Sequence, residues 1–106
     1  MPKYLIEAKY TIRGEEGLRA KGGTDRRKAV EETVKSVGGK LECLYFAFGE
    51  YDAVTIMDLP DNEAAASVAL IVNSAGGADV KTTVLLSPEE VDEAAKRAVD
   101  YRPPGL

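Results

Sequence analysis

Between two apolar runs, residues 41–48 and 53–59, lie Gly49, Glu50, Tyr51 and Asp52. Two carboxylates and a phenol at one edge of a sheet can hold a ligand or move a proton, and a bare turn needs none of them. The glycine falls where a hairpin reverses, and a tight reversal often takes a positive φ, which glycine adopts without strain. Asp52 has two readings. As a functional group it is a general base or ligand anchor at a cavity rim, activated by partial desolvation. As a structural group it accepts backbone N–H bonds from the loop after Ile12, or pairs with Arg13, Arg27 or Lys81. Tyr51 either offers its hydroxyl to a ligand or packs across strands on Tyr10 or Thr11. Glu50 reads as a solvated turn residue.

Glu7 and Lys9 alternate onto the same side of the first strand, together with Thr11. If that side is buried, the acid and the base pair with each other, with Glu42 and Lys81, or with a ligand. Other chemistry is removed by composition. Histidine is absent and Cys43 is the one cysteine, so a Cys/His zinc site, a His-ligated haem and a His-based nucleophile pair cannot be assembled. No cofactor and no metal are expected. Cys43 lies in an apolar run and reads as a small buried hydrophobe, which fits a reducing cytoplasm. The net charge of −4 argues against a nucleic-acid groove. The one basic cluster, Arg26-Arg27-Lys28, is followed by Glu31 and Glu32 and reads as a solvated helix face. No N-terminal apolar leader and no run of roughly 18 apolar residues occurs, so neither export nor a membrane span is expected.

Positioning these groups takes a short series of elements. Residues 4–12 alternate, with Tyr4, Ile6, Ala8, Tyr10 and Ile12 on one face, which predicts a strand. Residues 13–23 carry four glycines and read as a loop or a frayed helical start. That stretch lacks the Gly-Lys-Ser/Thr ending of a phosphate loop, and its functional reading is a flexible lid. Thr24 is the expected N-cap of a helix reaching Val37, with Val30, Val34 and Val37 as its apolar stripe. Two strands joined at Gly49 follow. Asp61 caps a second helix whose buried face is Ala64, Val68, Ile71 and Val72, and Gly76-Gly77 stops it. Residues 78–86 alternate as a fourth strand. Ser87, Pro88 and Glu90 open a third helix that fades near Tyr101.

This order is the ferredoxin-like βαββαβ pattern of the α+β class, with an added C-terminal helix. Right-handed crossovers place the helices on one face of a four-stranded antiparallel sheet, in the spatial order fourth, first, third, second. The chain reads as one domain over 1–106, with its core in 3–87 and the last helix and tail in 88–106. Giving the more apolar side of each strand to the helices leaves Leu5, Glu7, Lys9, Thr11, Glu42, Leu44 and Phe46 on the open side. Tyr51, Ala53, Thr55, Met57, Lys81, Thr83 and Leu85 join them there. A face so apolar meets a partner. Two copies packed through it form a barrel, with Glu7, Lys9, Phe46, Tyr51 and Lys81 as the expected cavity floor.

The stretch Gly49-Glu50-Tyr51-Asp52 resembles the motif that names the GYD domain family. The resemblance extends to Tyr10-Thr11 with Gly14 and Gly17, to Arg27 and Ala29, to Gly38-Gly39, to Pro60-Asp61 and to the strand containing Thr82. It departs at Val84, where a second threonine is common, and in the charged 20–24 stretch. The resemblance implies a dimeric α+β barrel, a group whose relatives include cofactor-free monooxygenases, isomerases and ligand sensors. It carries a fold and the place of a site, not a reaction. Three readings stand. One is a cofactor-independent enzyme on a small organic substrate, with Asp52 or Glu7 as acid/base. Lys9, Tyr10, Thr11, Phe46, Tyr51 and Lys81 then hold the ligand. Another is a binding or sensory module without chemistry. The third is a structural oligomer.

Overall fold

The computed structural model describes residues 1–106, and its core is built outward from strand β1 (Lys3–Tyr10). Tyr4 and Ile6, two apart on one side of that strand, are buried, as alternation requires. Strands β3 (Ala53–Asp58) and β4 (Ala78–Leu85) flank β1, and β2 (Lys40–Phe46) closes the sheet in the order β2-β3-β1-β4. All pairings are antiparallel, which is the expected ferredoxin-like α+β arrangement. Helices α2 (Gly23–Ser36) and α3 (Asn62–Ala75) bring Val34 and Val68 onto Tyr4, Ile6, Met57 and Leu59. Two shorter helices complete the chain, α1 (Ile12–Lys21) and α4 (Pro88–Lys96).

The helix ends follow the expected capping chemistry in two places. The Asp61 carboxylate accepts from the Ala64 amide at 2.8 Å, and α3 ends on Gly76 at φ 84°. The Ser87 hydroxyl accepts from the Glu90 amide at 3.1 Å, and the Glu90 carboxylate accepts from the Ser87 amide at 2.9 Å. That return bond holds the Glu90 carboxyl below its ordinary value. Helix α4 ends at Lys96 rather than near Tyr101.

The stretch 13–23 is not a loop. Thr11 caps α1 by accepting from the Gly14 amide at 3.2 Å, and Glu15, Arg19 and Lys21 complement the helix dipole at its two ends. Gly14 is there for space, because a Cβ on it would lie 1.9 Å from the Gly77 carbonyl oxygen. Gly22, at φ 86°, then turns the chain directly into α2. The cap of α2 is therefore Gly22, without a side-chain bond, and Thr24 falls in its first turn. Gly49 does not take a positive φ, and the reversal is a wider loop over 47–52. Ile71, expected on the buried face of α3, is 61% exposed, and the residues buried there are Ala65 and Val68.

Strand parity departs from expectation in the second half of the sheet. Met57 stands opposite Tyr4, Thr55 opposite Ile6 and Ala53 opposite Ala8, so all three face the helices. Val54 and Ile56, although more apolar, take the open side. The Thr55 hydroxyl is buried and satisfied by the Ile6 carbonyl at 2.8 Å, which makes a polar residue tolerable there. In β2 a register shift between Leu41 and Cys43 reverses the remaining side chains, so Leu44 and Phe46 pair with Thr55 and Ala53 on the helix side. Phe46 therefore lies on the opposite face from Glu7, Lys9 and Lys81.

Candidate functional site

The motif residue Asp52 is fastened on four sides. Its carboxylate accepts from the Tyr10 amide at 2.8 Å and from the Lys9 ammonium at 3.5 Å. Its own amide donates to the Ala8 carbonyl at 2.8 Å, and its carbonyl accepts from the Ala47 amide at 2.9 Å. The acceptor role of the structural reading holds, but the partners are Tyr10 and Lys9 rather than the stretch after Ile12, Arg13, Arg27 or Lys81. Asp52 thus splices the entry of β3 to the last residues of β1. Thr11, the next residue along, donates its hydroxyl to the Gly76 carbonyl at 2.8 Å, and its amide donates to the Gly77 carbonyl at 3.1 Å. Gly14 packs on the same Gly77. One junction therefore locks the end of β1, the start of α1, the α3–β4 turn and the loop carrying the motif.

That junction frames a cleft of about 570 Å³ between α1, α2 and the last turns of α3. Tyr10 and Ala78 form its base on the sheet. Arg13, Leu18 and Lys21 come from α1, Asp25, Arg26 and Ala29 from α2, and Ile71, Val72 and Ala75 from α3. Below it, between sheet and helices, lies a smaller and mostly apolar cavity of about 70 Å³. The two spaces share Tyr10, Arg26, Thr33, Val72 and Ala78. None of Arg13, Lys21 or Arg26 is in an ion pair. The Arg26 Nε is buried and has no hydrogen-bond partner.

The open face of the sheet has a different character. Glu7 is half-buried and directly opposite Lys81, and Lys9 is opposite Asp79, yet neither cross-strand pair forms an ion pair. At the far end Lys3 bonds both Glu42 and Asp58, the first the stronger influence, and its pKa is raised. On the helix side the Tyr4 hydroxyl donates to Asn62 Oδ1 at 2.6 Å, and burial pushes the phenol up from its ordinary value. No three Asp, Glu or Cys residues gather in a metal-binding arrangement.

The structure brings Lys9, Tyr10, Thr11 and Asp52 together at the end of β1, and sets Glu7 beside Lys81 on the open face. Tyr51 is half-buried in the 47–52 loop, away from both cavities. The Phe46 ring lies against Gly23, where a Cβ would be 3.0 Å from Cε2. The sequence reading did not place Arg13, Lys21 or Arg26 around a cleft. The signal for Arg26 was present, since it stands four residues before Val30 and so on the inward stripe of α2. No helix is long and apolar enough to cross a membrane. No curated protein matches the chain. The family model of the GYD domain matches residues 4–95, which include the spliced motif and the cleft, and the chain belongs to the GYD domain family.

Proposed function

We propose that this protein binds a small organic molecule in the cleft between α1, α2 and α3, and works as a homodimer or larger homo-oligomer closed through the open face of its sheet. The cleft carries the reading. Its volume of about 570 Å³ is within the roughly 300–1,000 Å³ of small-molecule sites, and it combines apolar walls with a few converging polar groups. Binding without turnover is favoured, because Asp25 is the cleft's one carboxylate and no nucleophile–base pair faces it. The oligomer is supported by Leu5, Val54, Ile56 and Leu85, an apolar group on the open face that no helix of the chain covers. The lone Cys43 fits a cytoplasmic setting.

A second reading, a cofactor-independent enzyme, draws on Glu7 and Lys81. They face each other without an ion pair on the side a second copy would enclose, where an acid and a base would both meet a bound substrate. Native mass spectrometry tests both readings. The expected species is a multiple of the 11.4 kDa chain carrying a retained metabolite, which Ala75→Trp expels by filling the cleft. Expulsion by Glu7→Gln but not by Ala75→Trp would move the site to the open face. A monomer at micromolar concentration would overturn the oligomer.

A further inference from the structure

The buried, unpartnered Nε of Arg26 is the least expected feature of the cleft. A buried donor without an acceptor costs about 1–3 kcal/mol, and more when charged, so folded proteins keep few of them. Arg26, which lines both cavities, carries one at its Nε. Arg13 and Lys21 stand on the same cleft without anionic partners, and Asp25 is the only acid among its lining residues. Three cations against one anion give this space a formal charge of about +2, inside a chain whose net charge is −4. A concave site with such a charge concentrates anions relative to solvent. Everything below Arg26 is different in character. The inner cavity is lined mainly by apolar side chains, Leu44, Met57 and Val68 among them.

From this juxtaposition we infer that the ligand of the cleft is an organic anion. Its carboxylate or phosphate sits on Arg26 with Arg13 and Lys21 around it, and an apolar body lies against Leu18, Ile71 and Val72. A short apolar end can enter the inner cavity past Arg26. The inference rests on the cleft being the binding site. A guanidinium forks onto carboxylate or phosphate through two parallel bonds, so Arg26 supplies orientation as well as charge.

The test uses three probes with one aromatic body: 2-naphthoate, 2-naphthyl phosphate and the neutral 2-naphthalenemethanol. Their affinities are measured by calorimetry on the full chain. At low salt at least one anion is expected to bind about tenfold or more tighter than the alcohol. Whichever anion is tighter identifies the headgroup. Arg26→Met should remove most of the preferred anion's lead over the alcohol, with Arg13 and Lys21 keeping the rest. It should also keep or raise the thermal midpoint, because a buried unpartnered donor is removed. Raising salt on the unmodified protein should weaken the anions and not the alcohol, so the inference is testable even if Arg26→Met fails to fold. Ala75→Trp should abolish binding of all three.

Equal affinities for the three probes, blocked by Ala75→Trp but unmoved by salt and by Arg26→Met, would overturn the anion and keep the cleft. Binding of any probe that survives Ala75→Trp would overturn the cleft itself. So would no binding of any of the three to the unmodified protein.

Discussion

Replacing Asp52 tests whether the motif acts through chemistry or through placement. Asp52→Ala removes an acceptor for the Tyr10 amide at 2.8 Å and a partner for Lys9 at 3.5 Å. The Asp52 side chain is 18% exposed and that of Lys9 52%, so the two contacts carry different weight. The backbone bond is charge-assisted and worth about 1.5–3 kcal/mol. The ion pair is half-exposed and worth about 0–1 kcal/mol. Asp52→Ala is therefore expected to cost about 2–3 kcal/mol, a fall of roughly 10–15 °C in thermal midpoint for a domain of this size. Asp52→Asn keeps an oxygen for the Tyr10 amide and loses the charge, so its cost should be about half. Its amide nitrogen would face the Lys9 ammonium, which is exposed enough to turn away. Lys9→Ala should cost under about 1 kcal/mol. Urea unfolding with the m-value checked gives all three. Asp52→Asn as damaging as Asp52→Ala, or Lys9→Ala more damaging than Asp52→Asn, would refute the splice. If Asp52→Asn folds and binds normally but abolishes a turnover, Asp52 is a base.

Two glycines of α1 should respond in opposite directions to alanine. Gly14→Ala puts a methyl 1.9 Å from the Gly77 oxygen and should destabilise by about 1–3 kcal/mol, whereas Gly17→Ala meets no atom and should stabilise by about 0.5–1 kcal/mol; equal midpoints would show that Gly14 is not a packing residue. Tyr4 gives the pH dependence. Its phenol is raised in the folded state, so the unfolded chain loses that proton first. Stability should be flat in this group below pH about 10 and fall above it, and Tyr4→Phe should remove that share of the fall while costing about 1 kcal/mol for the lost bond to Asn62. A Tyr4→Phe protein with an unchanged alkaline limb would refute the assignment.

The fold was legible because local signals agreed with one another. Asp61 and Ser87 cap helices where the chain announces them, and Tyr4 and Ile6 face the core that alternation assigns them. The errors share a cause, which is that packing between distant segments overrode a local rule. Four glycines made 13–23 look like a loop or a frayed helical start, yet Gly14 is required by Gly77, more than sixty residues away in the chain. Val54 and Ile56 looked more suitable for the core than Thr55, but the Ile6 carbonyl satisfies that hydroxyl from the neighbouring strand. The bulge after Leu41 has no single-residue signature, and it inverts everything beyond it.

The site was harder to read, because residues that look reactive and residues that face the cleft are different sets. Asp52, Glu50 and Tyr51 drew attention through their functional groups. Arg26 sat in a run of cations that reads as a solvated surface, and only its spacing from Val30 marked it as inward. The structure joins the two sets through the main chain. Asp52 holds the Tyr10 amide, the Tyr10 side chain forms the base of the cleft, and Thr11 caps the helix that brings Arg13 and Lys21. A carboxylate in that position is needed whatever the cleft binds, since the hydrogen bond it accepts is to backbone and carries no ligand specificity. The side chains of Arg13, Lys21 and Arg26 take no part in those bonds, so on the proposed reading of the cleft they can set ligand preference without disturbing the junction. Within the GYD domain family the motif should accordingly report the architecture and, on the proposed reading of the cleft, the charge on α1 and α2 should report the ligand.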